Sequence, residues 1–238
     1  NALAPILERL EKVKTSIYLV GELVEWYPEL PQKISEAGHE VGFHCQVHRP
    51  LTTVADIEHD LKTSCEWRTK YNVRGFRAPM INTIEDVYPI LERNEFSYSS
   101  SLYAPTGTLI KKGNIWEIPV STFPLFGHPT NIQAPRRMNL PLVFGGEFPY
   151  GSSMMSGLFP SIVLKIIERE LKAGLSPVIF LHPYEIIRPE RWPARFGRDL
   201  FSNPLLYPFT LSKSNFLNDL LRSFPISTID DFVKESTE

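Results

Sequence analysis

Two histidines stand close together in Gly38-His-Glu-Val-Gly-Phe-His44-Cys-Gln-Val-His48-Arg-Pro50. A short β-prone run leads into His44. If the chain turns helically after Phe43, His44 and His48 fall one turn apart on one face. Imidazoles so placed can share a metal ion, and zinc suits neutral imidazole nitrogen. The same spacing also fits two satisfied surface or core histidines. Cys45 would point away from a face that holds both rings. His59 lies among Asp56, Glu58 and Asp60 on an amphipathic stretch and reads as part of a solvated face, while His39 and His128 carry no spacing argument.

A second group is Arg74-Gly-Phe-Arg77-Ala-Pro79-Met80. Arg77 follows a strand-like run, where a guanidinium can clamp a carboxylate through two hydrogen bonds. Pro79 stiffens the turn and pre-sets the next backbone amide. An ordinary strand-to-helix turn with a surface arginine reads equally well. The third group is Val178-Ile-Phe-Leu181-His182-Pro183-Tyr184-Glu185, where a buried-strand pattern ends on His182. Three polar groups at strand C-terminal ends would share one rim, the place where ligands gather in parallel α/β folds.

The elements that would position these groups alternate. Helical stripes are expected at about 2–13, 29–37, 53–70, 83–93, 160–173, 214–223 and 229–236. Strand-like runs lie at Ser16–Val20, Glu40–Phe43, Val73–Phe76, Phe96–Ser101, Trp116–Val120, Pro177–Leu181 and Ile226–Thr228. Alternation of this kind means parallel strands with helical crossovers. Residues 103–158 show no helix periodicity and read as a long excursion rich in Pro, Gly and Ser. With no linker or repeat, residues 1–238 read as one domain. The sequence opens on a helix at Asn1, without initiator Met or signal peptide, so the first strand is expected upstream and the domain is expected to be N-terminally incomplete.

Composition narrows the function classes. Of 238 residues, 42% are apolar and 22% charged, which excludes intrinsic disorder. The net charge of −2 argues against a nucleic-acid partner, and no apolar run approaches the ~18 residues of a transmembrane helix. Two cysteines build no disulfide scaffold.

The three groups, in this order, resemble the NodB-type polysaccharide deacetylases (carbohydrate esterase family 4). Further likeness lies in Thr15-Ser-Ile-Tyr-Leu-Val-Gly21, Phe96-Ser-Tyr-Ser-Ser-Ser-Leu102, Trp116-Glu-Ile-Pro-Val-Ser-Thr122 and Ser227-Thr-Ile-Asp-Asp231. The resemblance implies a distorted (β/α)7-type barrel with parallel strands and a metal-dependent hydrolase that removes acetyl groups from N-acetylated sugars. It places His44 and His48 as ligands of a divalent metal, zinc by preference. Arg77 would orient the catalytic base, the Met80 backbone amide would hold the oxyanion, and His182 would be the general acid. Pro79, Tyr184, Arg191, Trp192 and Arg195 would meet the carbohydrate. The arginines of that late segment suit an anionic or lipid-phosphate-linked glycan, and structural ion pairs with neighbouring acids account for them as well.

This sequence departs from the family pattern in three places. The Asp-Asp strand end that supplies base and metal ligand is absent and would fall before residue 1. Met80 replaces an aromatic residue, and Ser99 stands where related sequences carry the Asp that tunes the acid histidine. Two other readings keep part of the site. One is a deacylase of another amide, such as a formamido sugar. The other, if both acids are missing, is a metal-free glycan-binding pseudoenzyme.

Overall fold

Phe43, Phe76 and Phe96 meet at ring-centroid distances of 5.9–6.2 Å, and around them the first half of the chain folds. The computed structural model describes residues 3–127, 129, 131–188 and 206–237. Strands β1 (Ser16–Leu19), β2 (Glu40–Phe43), β3 (Gly75–Phe76) and β4 (Tyr98–Ser99) lie side by side and parallel. Helices Gly21–Trp26, Leu30–Glu36, Val54–Thr63, Cys65–Lys70 and Val87–Arg93 make the crossovers. β5 (Tyr103–Pro105) follows, then a hairpin of β6 (Ile110–Lys112) and β7 (Ile115–Glu117), then β8 (Val120–Pro124) and β9 (Glu147–Phe148). The described sheets run β1-β2-β3-β4-β7-β6 and β5-β8-β9. β7 pairs parallel with β4, and β8 parallel with β5.

Sequence chemistry explains the local choices. Thr53 caps Val54–Thr63 by accepting the Asp56 N–H at 3.2 Å. The aromatic core is lined by Arg68, whose guanidinium carbon lies 5.3 and 5.1 Å from the Phe43 and Phe96 rings. Gly42 and Gly75 leave room for two tyrosines: an added Cβ would sit 2.4 Å from Tyr18 Cδ1 or 2.2 Å from Tyr98 Oη. Those tyrosines meet hydroxyl to hydroxyl at 2.8 Å, and Tyr98 donates to Glu40 Oε1 at 2.5 Å. Ser16 donates to the other oxygen of Glu40, and Ser16 Oγ accepts the Ile229 N–H at 2.8 Å. A second core cluster, with Ile6, Tyr150, Val163, Ile167 and Leu217, joins the first helix to the C-terminal half.

Several expected elements differ. The stretch 53–70 breaks at Ser64, whose buried hydroxyl bonds back to the Asp60 carbonyl at 2.7 Å. The first helix stops at Arg9, and the helix expected from 83 starts at Val87. Pro177–Leu181 is extended, but it has no regular ladder. Ser121 N–H donates to Val178 O, and Phe180 N–H reaches Gly151 O instead of β8. Ile226–Thr228 is no strand; it leads into the helix Ile229–Thr237, with Thr228 Oγ1 accepting the Asp231 N–H at 2.9 Å. The excursion 103–158 holds short strands and two helices, Leu140–Phe144 and Ser153–Leu158, each shorter than two turns and so without a readable period. No ladder among the described residues closes the sheets into a ring.

Candidate active site

The C-terminal ends of β2 and β3 form one wall. Beyond Phe43 the chain does not become helical; Cys45 takes a left-handed conformation (φ 65°) and the following residues form a bend. Asp60 fastens that bend, accepting Gln46 N–H and one arm of Arg49, both at 3.0 Å. The outcome expected from a helical turn is nonetheless reached, because the His44 and His48 rings lie 5.0 Å apart, centre to centre. Cys45 is buried in the core, and burial pushes its thiol well above the ordinary range.

His44 Nδ1 lies 2.7 Å from the Arg77 carbonyl. A carbonyl only accepts, so Nδ1 carries the hydrogen and Nε2 keeps its lone pair. Burial, with the charges of His48, Arg77 and His182, lowers the His44 pKa to about 3. Partial burial and the charge of His182 also lower that of His48. Two neutral imidazoles, one with its far nitrogen fixed by a carbonyl, are the donor chemistry of a divalent-metal site. Among the described residues no third His, Cys, Asp or Glu joins them.

Arg77 is buried behind the pair. Its N–H donates to Phe43 O at 2.9 Å, which locks β3 to β2 at the rim. Its guanidinium bonds Ser100 O at 3.0 Å and Ser100 Oγ at 2.6 Å, and stands 4.6 Å from the Tyr18 ring. Among the described residues it makes no ion pair with a carboxylate. Pro79 is buried under the turn. Met80 and Ile81 after it both have positive φ, 57° and 49°. Left-handed backbone costs a side-chain-bearing residue about 1–2 kcal/mol, and such strain concentrates at functional sites.

His182 closes the opposite wall. Glu185 Oε2 lies 3.2 Å from its Nδ1 and accepts its backbone N–H at 2.7 Å, while Ser153 Oγ stands 3.3 Å from the same Nδ1. Tyr184 stacks on the ring at 5.0 Å and 11°; Phe180 and Phe209 meet it edge-on at 5.4 and 6.0 Å. The other oxygen of Glu185 takes Lys213 Nζ at 2.7 Å, both side chains being fully buried. Burial disfavours the Glu185 carboxylate. Hydrogen bonds and charge from His182 and Lys213 outweigh it, holding the carboxyl below its usual range.

The structure thus brings His44, His48, Arg77, Met80 and His182 to one rim, with Tyr184 against His182. Arg191, Trp192 and Arg195 lie outside the described residues, as does His128. His59 is exposed on its helix, as expected of a solvated face. Sequence reasoning missed Glu185, Ser153, Phe209 and Lys213 as neighbours of His182. The His182-Pro-Tyr-Glu185 spacing is that of a capping box and was the available signal.

The family described as polysaccharide deacetylase matches residues 1–98, which include His44, His48, Arg77, Pro79 and Met80. The match covers less than half of the chain. A peptidoglycan deacetylase-like protein of Gibberella zeae is 29% identical over 106 residues, 41% of this chain and 31% of that protein. The chain therefore spans about a third of this curated relative. Three solved structures share the deacetylase-type fold over nearly the whole chain. A protein assigned as a polysaccharide deacetylase from Mycobacterium smegmatis has a TM-score of 0.53 at 18% identity, over 95% of this chain and 79% of its own. PuuE allantoinase has 0.56 at 15%, over 95% and 74%. A carbohydrate esterase family 4 pseudoenzyme from Bacillus anthracis has 0.52 at 15%, over 97% and 59%. His182 lies beyond the matched residues, so its place opposite the His44–His48 pair rests on the structure.

Proposed function

We propose that this polysaccharide deacetylase-type chain removes the acetyl group from an N-acetylated sugar of a glycan, with a divalent metal, zinc by preference, held by His44 and His48. The observation that carries the reading is the convergence of that neutral pair and His182 across one strained rim. When bound, the metal supplies Lewis acidity and a lowered water pKa. The Met80 amide, set by its left-handed turn, is the hydrogen-bond donor for the oxyanion; one such donor contributes ~10²–10³ in rate. Arg77 holds that turn against Ser100, just beyond β4, and fixes His44 through its carbonyl. His182 gives a proton to the leaving amine, and Glu185 holds the ring so that Nε2 is the nitrogen free to do it. Tyr184, stacked on the ring, narrows the approach to the amine. The reading covers residues 1–238 as one domain.

A second reading, a glycan-binding pseudoenzyme, is favoured by one observation: no acid among the described residues accompanies the histidine pair. Metal content and acetate release from N-acetylated oligosaccharides decide between them. Wild type is expected to hold about one metal ion and to release acetate. His44→Ala should lose the metal. His182→Ala should keep it and lose ~10²–10⁴ in kcat, with a smaller loss on an activated aryl acetate, whose leaving group needs little protonation. Equal metal content in wild type and His44→Ala removes His44 from the site. Saturable glycan binding without acetate release establishes the pseudoenzyme.

A further inference from the structure

Phe126 and Phe144 are 88% and 81% exposed, the most exposed large apolar side chains among the described residues. They belong to one projection. Leu125 N–H bonds Gly146 O at 2.6 Å, and Phe126 lies against Gly146, two residues beyond Phe144. Leu125 and Val143 are exposed beside them. At the foot of the projection, β8 and β9 place Phe123 opposite Phe148, and Phe148 meets Phe159 at 6.3 Å. From there exposed Phe159 and Ile162 continue the apolar face along the helix Pro160–Lys172.

The charge pattern of the same stretch is one-sided. Between Glu117 and Glu168 the sequence has a single acid, Glu147. It is buried and taken up by Arg136. Exposed Arg137, Lys165 and Arg169 remain, and Arg169 stands 4.8 Å from the Phe123 ring. A chain with 27 acids and 25 bases thus presents here three exposed cations, Arg137, Lys165 and Arg169, against one exposed acid, Glu168, which Lys172 takes up at 2.6 Å. Aromatic side chains flanked by Arg and Lys are the composition that binds the interface of an anionic bilayer without crossing it. No helix among the described residues is long and apolar enough to cross one.

We propose that this projection, centred on Phe126 and Phe144, docks the protein on an anionic lipid bilayer surface. Its foot is firm. Leu142 packs in one cluster with Ile81, Tyr103, Val120 and Phe180, so the docking element stands on the turn after Met80 and on the segment leading to His182. Docking therefore holds the rim of the candidate site next to the lipid surface.

The test is co-sedimentation with vesicles of phosphatidylcholine, with and without phosphatidylglycerol, at about 0.1 and 1 M salt, where the Debye length falls from ~10 to ~3 Å. Wild type is expected to pellet with the anionic vesicles and to be released by salt. The exposed-residue double variant Phe126→Ser/Phe144→Ser should keep its thermal midpoint and lose about tenfold or more in partitioning. Arg137→Glu/Lys165→Glu should abolish the preference for anionic over neutral vesicles. Wild type left in the supernatant with both vesicles overturns the proposal, as does a double variant that partitions like wild type. Concentration-dependent association in sedimentation velocity, lost in Phe126→Ser/Phe144→Ser and without vesicle binding, reassigns the face to contact between copies. Acetate release from a soluble oligosaccharide is measured separately, so docking is decided by pelleting alone.

Discussion

Glu185 shows how much one side chain decides in this site. It receives the His182 N–H, faces the His182 ring and neutralises Lys213, all without contact with solvent. Removing one partner of a buried charge pair costs about 3–5 kcal/mol. Glu185→Gln should therefore lower stability near neutral pH by about that amount, in urea unfolding monitored across pH. Its folded-state pKa lies below the ordinary carboxylate value, so its contribution is present above that value and fades as pH falls through the folded one. Wild type and variant should converge in acid; a gap that persists there would show that lost packing, not charge, is responsible. The residue-scale outline of the site was legible where spacing is local: His44 with His48, and Arg77 with Pro79. Lys213 and Ser153 were not, since 28 and 29 residues separate them from their partners and only tertiary folding joins them.

At the scale of elements, the turn after β3 makes the sharpest claim. Met80 is left-handed with its side chain largely exposed, so glycine there would relieve strain and sacrifice little packing. Met80→Gly is expected to raise the urea midpoint, by up to about 1 kcal/mol in unfolding free energy. An ordinary exposed Gly substitution destabilises by a similar amount, so a loss of stability would contradict the left-handed turn. Long elements with a clear period, such as Pro160–Lys172 and Ser214–Ser223, were readable from their apolar stripes. Leu140–Phe144 was hidden because five residues cannot show a repeat, although Asn139 caps it by accepting the Leu142 N–H at 2.9 Å. Pro177–Leu181 read as a strand from its apolar run, but Gly151 intervenes between it and β8 and takes the hydrogen bond a ladder would need.

Across the whole molecule, alternation of strand and helix carried the parallel architecture from sequence to structure, because each crossover buries one helix stripe on one sheet face. The late segments defied such reading because their partners are remote. Ser16 Oγ accepts the Ile229 N–H, and the Asp230 N–H reaches Glu40 at 3.2 Å. The amide ends of the last helix thus help to satisfy a half-buried carboxylate on β2. Ser16→Ala strips Glu40 of one donor and leaves the Ile229 amide without its acceptor. A loss of about 1–3 kcal/mol in unfolding free energy is expected, and a loss well below that would show solvent reaching both groups.

The distance along the chain between those partners has a meaning for biosynthesis. Ser16 and Ile229 are 213 residues apart. At ~5–20 residues per second, a ribosome needs about 10–40 s to make the second after the first. During that interval β1 and β2 exist without the groups that complete Glu40, and their hydrophobic faces are open to wrong neighbours. The segment that carries His44 and Arg77 is thus made well before the amide that completes its Ser16–Glu40 corner.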